Sequence, residues 1–94
     1  MIRHIFKYVI PDIGKVVSIK IPKIFSICEA AQQDGSLCLW AIVDIHCPLV
    51  EQKFMVVGTG WQIHEIENMK FIKTVHMPNG LVWHVFLVED DINE

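Results

Sequence analysis

Two short stretches of the chain carry residue types that could do chemistry. In "KTVHMPNGLVWH", Thr74, His76 and His84 flank a Pro-Asn-Gly turn, and imidazoles within reach of one another can begin a metal site or act as an acid and base near neutral pH. In "VVGTGWQI", Gly58 and Gly60 bracket Thr59 after an apolar run, and Trp61 follows directly. Backbone N–H groups of a glycine-rich turn can cradle a phosphate, Thr59 can add a hydroxyl, and Trp61 can supply a wall for stacking or docking. The candidate ligand- or partner-binding set is therefore Gly58, Thr59, Gly60, Trp61, Thr74, His76 and His84.

Each candidate has a plainer alternative. Gly58-Thr59-Gly60 is followed by neither GK[ST] nor the remainder of GxGxxG, so the glycines also fit a turn that ends a strand. Trp61 either stands exposed as an anchor or folds back over the sheet edge. No carboxylate shares the strand face of the two histidines, which then sit satisfied at the edge of an apolar face. His46 and Cys47 are sequence neighbours whose side chains point apart in an extended chain. No catalytic residue, metal ligand or cofactor is assigned.

The elements that must position these groups read as strands. Ile2, His4, Phe6, Tyr8 and Ile10 share one phase of period two, while Arg3 and Lys7 fall in the other, which predicts a strand with one buried face. After "PDIG", Val17, Ile19 and Ile21 point inward until Pro22 ends the pattern, as the second half of a hairpin-like pair. Asp34-Gly35 predicts a two-residue type I′ turn that pairs Gln33 with Ser36, Ala31 with Cys38 and Cys28 with Ala41. That register puts Cys28 and Cys38 on opposite faces, both as small core residues. Both faces of "LCLWAIV" are apolar, as expected of a central strand. "IHCPLVEQ" reads as a connection, "KFMVVGTG" as the fifth strand and "WQIHEIENM" as room for one helical turn.

"PNG" predicts a three-residue loop with a glycine bulge. In that register Met77 faces Leu81, Val75 faces Trp83, Lys73 faces Val85 and Phe71 faces Leu87, while Thr74 lies opposite His84 and His76 opposite Val82. The fold class expected is mainly β: a single-domain antiparallel β-sandwich or partly open barrel of about seven strands, with at most one short helical turn. Residues 1–88 form the domain and 89–94 an acidic, flexible tail.

Composition sets the outer bounds. Of 94 residues, 52% are hydrophobic and 20% charged, enough apolar surface for one folded core. No apolar run reaches the roughly 20 residues of a membrane helix, and "MIRHIFKYVI" lacks the continuous core of a signal peptide, which points to the cytoplasm. Three cysteines without CxxC spacing fit a reducing compartment and free thiols. The net charge of −3 divides into +4 over residues 1–24 and −7 over the rest. No dense basic patch interleaves with aromatics, so duplex nucleic acid is not an expected partner. Apolar residues on both faces of several strands predict a homo-oligomer.

"SLCLWAIVD", "VVGTGWQI" and "FIKTVHMPNGLVWHVF" together resemble a family of small, functionally uncharacterised proteins encoded by bacteriophages and prophages. The matching elements are Ile21-Pro22, Gly35 with Leu37 to Asp44, Gly58 to Gly60 with Ile63, and Met77 to Phe86. The resemblance implies a setting: an accessory protein in the host cytoplasm that counteracts an antiviral defence by binding. Its partner is then a host defence protein that it blocks or a small nucleotide signal that it sequesters. The alternative is an enzyme acting on a phosphorylated small molecule, with His76 and His84 as acid and base.

Overall fold

The described residues fold into seven strands in two antiparallel sheets that face each other across an apolar core. The structure, a computed structural model, describes residues 2–63 and 68–89. The strands are β1 (Arg3–Val9), β2 (Val17–Pro22), β3 (Ile24–Gln33), β4 (Ser36–Asp44), β5 (Leu49–Gly58), β6 (Met69–His76) and β7 (Val82–Val88). One sheet has the order β1-β4-β3 and the other β2-β5-β7-β6. Both sheets are open and separate, so of the two expected architectures the sandwich is the one realised. The helical turn allowed for in "WQIHEIENM" falls largely on residues 64–67, and most of the acidic tail on 90–94, outside the described residues.

The two hairpin turns form as their residue types dictate. Asp34 and Gly35 take φ of 54° and 81°, the doubly positive pair of a type I′ turn, and Gln33 pairs with Ser36. In the second hairpin Gly80 has φ of 90°, and Met77 and Leu81 are joined by the Met77 N–H to Leu81 carbonyl bond of 2.8 Å. Val75 then faces Trp83, Thr74 faces His84 and Lys73 faces Val85, as expected.

Farther from the turns the ladders slip. A bulge between Ile27 and Glu29 moves Ile27, rather than Cys28, opposite Ala41, and Cys28 is exposed rather than part of the core. A second bulge lies between Ile24 and Ser26, and a third between Phe71 and Lys73 puts Phe71 opposite Phe86 instead of Leu87. All three cysteines are free thiols.

β1 and β2 do not pair with each other. The Ile10 N–H bonds the Leu37 carbonyl at 2.9 Å, and four residues later the Gly14 N–H bonds the Val56 carbonyl at 2.8 Å. "PDIG" therefore carries the chain from one sheet to the other, with Gly14 at φ 81°. β1 lies at a sheet edge, and of its expected inward phase Ile10 is buried and Tyr8 half-buried, whereas Phe6 and His4 stay exposed. The connection before β5 is also shorter than expected, because Leu49–Gln52 pair with β2.

The core between the sheets is built on Leu37, Leu39, Ala30, Phe54, Val56 and Val85. β4 is the central strand of its sheet and buries Leu37, Leu39, Ala41 and Val43 on that side, with Cys38 buried on the other. A smaller cluster of Met55, Val57 and Val88, with Met69 and Phe86, lies on the opposite face of the four-stranded sheet. Where the edges of the two sheets meet, Lys73 of β6 forms an ion pair with Glu29 of β3.

Candidate functional site: a braced histidine and a seam cleft

β5 ends in a turn built around its glycines. The Trp61 N–H donates to the Gly58 carbonyl at 3.1 Å, and Gly60, at the third turn position, has φ of 86°. This is the geometry of a type II turn, which favours glycine there. Gly58 serves differently. A Cβ at that position would lie 2.8 Å from both Cε2 and Nε1 of Trp61 and 3.2 Å from Cζ3 of Trp83.

The Trp61 indole thus lies back over the Gly58 backbone and meets Trp83 edge to face, with centroids 5.4 Å apart and planes at 77°. It still leaves 47% of its surface exposed. Both sequence alternatives for Trp61 describe part of this arrangement. The Gly-Thr-Gly stretch is a strand-ending turn, and the Trp61 amide that a phosphate cradle would need is already bonded.

On the other face of the sheet, His84 is held by two threonines. Its Nδ1 lies 2.9 Å from Thr74 Oγ1 and its Nε2 2.7 Å from Thr59 Oγ1. A threonine hydroxyl both donates and accepts, so either neutral tautomer and the imidazolium are fully satisfied there. Thr74 arrives by the cross-strand register of the β6–β7 hairpin, and Thr59 by the turn that ends β5.

The seven expected site residues therefore divide in two. Thr59, Thr74 and His84 come together, and His76 sits one position along on the same face, exposed and opposite Val82. Gly60 shapes the turn that leads to Trp61, and Gly58 and Trp61 pack with Trp83, which belongs to the core side. Among the described residues no group of three or more His, Cys, Asp or Glu is placed to hold a metal ion. No helix among them is long and apolar enough to cross a membrane.

A cleft that no spacing in the chain announces lies at the seam between the sheets. About 520 Å³ of space opens between the beginnings of β3 and β6, floored by Ile24, Ile27, Ile72 and Leu87 and bordered by Lys23, Phe25, Lys70 and Phe71. Phe25 and Phe71 are 45% and 56% exposed. The Arg3 guanidinium lies 3.9 Å over the Phe25 ring, and Phe71 meets Phe86 edge to face. Across the Glu29–Lys73 ion pair a second, shallower hollow of about 310 Å³ includes Thr74 and His76.

The ion pair also sets the electrostatics of the seam. Hydrogen bonds from the Lys73 ammonium and then from the Ala30 N–H hold the Glu29 carboxyl below its ordinary range. Lys23 and Lys70 have no carboxylate partner among the described residues. The only signal in the sequence is that each lysine stands within two positions of a phenylalanine at the start of a strand, in "KIF" and "KF".

Fold and site together define a two-sheet antiparallel sandwich with a hydroxyl-braced histidine on one face and a cationic, aromatic-edged cleft at the seam. The chain belongs to the family described as Domain of unknown function (DUF7352), whose model matches residues 1–94. No curated protein and no solved structure matches the chain.

Proposed function

We propose that the protein is a non-enzymatic binding protein, a bacteriophage- or prophage-encoded accessory factor that counteracts host antiviral defence in the cytoplasm. It does so by occupying a component of that defence, either a defence protein or a small nucleotide signal. The observation that carries the binding reading is the Thr59–His84–Thr74 arrangement, in which both ring nitrogens are engaged by hydroxyls of the protein itself. A general acid or base needs a nitrogen within reach of the reacting atom. Here the imidazole ties the end of β5 to β6.

Homo-oligomerisation belongs to the same reading. Ile5 and Val9 are exposed on the outer face of the edge strand β1, beside half-buried Trp40 and Ile42 on β4. This face, which mixes those apolar residues with Arg3 and Lys7 beside an edge strand, is a surface a second copy can cover.

The test is infection of bacteria that carry a known antiviral system and express the protein. The expected result is restored plaque formation against at least one system, retained by His84→Asn. No restoration across a panel covering nuclease-based and nucleotide-signalling systems contradicts the proposal. Restoration that His84→Asn abolishes, in a variant that still folds, favours the enzyme with His76 and His84 as acid and base.

A further inference from the structure

We infer that the seam cleft between β3 and β6 is a binding site for a nucleotide, a planar base carrying phosphate. The inference rests on the binding reading above and deepens it. Three independent features converge there. The first is charge: Lys23 and Lys70 stand on the rim without carboxylate partners among the described residues, ready for a phosphate as point charges.

The second is the aromatic pair. Phe25 and Phe71 are large apolar rings left about half exposed at the mouth, and each is held from outside the cleft: Phe25 by the Arg3 guanidinium, Phe71 by the edge-to-face contact with Phe86. Rings held in this way at the rim can pack against a base at the cleft mouth at little cost in side-chain entropy.

The third is the backbone. The three β-bulges in the described ladders all fall on β3 and β6, at Ile24/Ser26, Ile27/Glu29 and Phe71/Lys73, whereas the β1–β4, β2–β5 and β5–β7 ladders run without a shift. Bulges bend a strand and re-aim its side chains, and they gather beside functional sites. Here they border the cleft, and the Glu29–Lys73 ion pair closes the seam beyond it. The volume of about 520 Å³ lies in the range of small-molecule sites, about 300–1,000 Å³. Gln52 offers an amide that can donate to and accept from a base edge, and Glu89, the carboxylate on the lining, can accept from an exocyclic amino group. Its charge turns the phosphate toward the two lysines.

The experiment is nuclear magnetic resonance of the ¹⁵N-labelled protein titrated with adenosine 5′-monophosphate and with cyclic diadenosine monophosphate, with adenosine and inorganic phosphate as component controls. At least one nucleotide should shift amides of residues 23–27 and 70–72 and bind at least tenfold more tightly than either component. Lys23→Gln/Lys70→Gln should weaken that binding at least tenfold, and Phe71→Leu severalfold, while Lys15→Gln, which removes an exposed charge outside the cleft, leaves it unchanged. Shifts centred on residues 58–61, unaltered affinity in the double lysine variant, or no shift at millimolar nucleotide each overturn the inference. Plaque restoration that survives the double lysine substitution would do so too while leaving the binding function standing.

Discussion

Replacing Gly58 by alanine should damage the fold through one identifiable collision. A Cβ there lies 2.8 Å from two atoms of the Trp61 indole and 3.2 Å from Trp83, so the flexible partner, Trp61, must leave its place. Displacing it forfeits the edge-to-face pair with Trp83, about 0.5–1.5 kcal/mol, in addition to an overpacking cost of about 1–3 kcal/mol if the ring cannot fully escape. A destabilisation of about 2 kcal/mol is expected, which in a domain of this size lowers Tm by roughly 8–16 °C.

Gly60 differs in mechanism. Nothing lies within 4 Å of its added Cβ, so Gly60→Ala carries only the backbone cost of φ 86°, about 1 kcal/mol. The decisive comparison is the double-mutant cycle, followed by circular dichroism in urea. Once Trp61→Ala has removed the indole, Gly58→Ala should cost at least about 1 kcal/mol less than it does alone. Additivity of the two substitutions within about 0.5 kcal/mol would refute the reasoning, because it would mean that the indole does not rest on Gly58.

The Glu29–Lys73 pair makes stability depend on pH. Because its partners hold the Glu29 carboxyl below its ordinary value, the contribution is present above that ordinary value and is lost as pH falls through the lower folded value. The Tm advantage of the parent over Glu29→Gln should therefore vanish in acid, and an advantage constant from pH 7 to pH 2 would contradict the assignment. The Tyr8 hydroxyl is buried without a hydrogen-bond partner among the described residues, and burial pushes its pKa up. Tyr8→Phe should be neutral or stabilising by about 1 kcal/mol in urea denaturation, and a loss of that size would reveal a hidden partner. In thiol alkylation of the native protein Cys28 should react first, Cys47 more slowly and Cys38 last, with three modified cysteines after unfolding. Early modification of Cys38 would place it outside the sheet.

The parts of the fold legible in the sequence are those fixed by local chemistry. Asp34-Gly35 and Pro78-Asn79-Gly80 announce positive φ, and the register near each turn follows from the turn alone. That is how the meeting of Thr74 with His84 could be expected before the structure. Thr59 on the other side of the ring depends on how β5 lies against β7, a pairing between strands distant in sequence. The bulges were not legible because "FSIC" and "FIK" carry apolar residues in both phases, so a one-residue slip leaves the pattern intact. The β1–β2 corner was hidden for a related reason: alternation reports which face is buried, not which strand lies alongside. The seam cleft needs Lys23 and Lys70 brought together by the packing of two sheet edges, and no spacing in the chain encodes that.

The most direct measurement of the central claim, binding without turnover, is the recovery of what the protein holds when it acts. Tagged protein is purified from infected, defence-carrying cells, denatured, and its contents identified by mass spectrometry, with the released ligand also incubated in excess over fresh protein. The account predicts about one identified defence protein or one intact nucleotide per binding site, and no conversion of the excess. Protein recovered with neither partner, or steady conversion of excess nucleotide to a product, would contradict it.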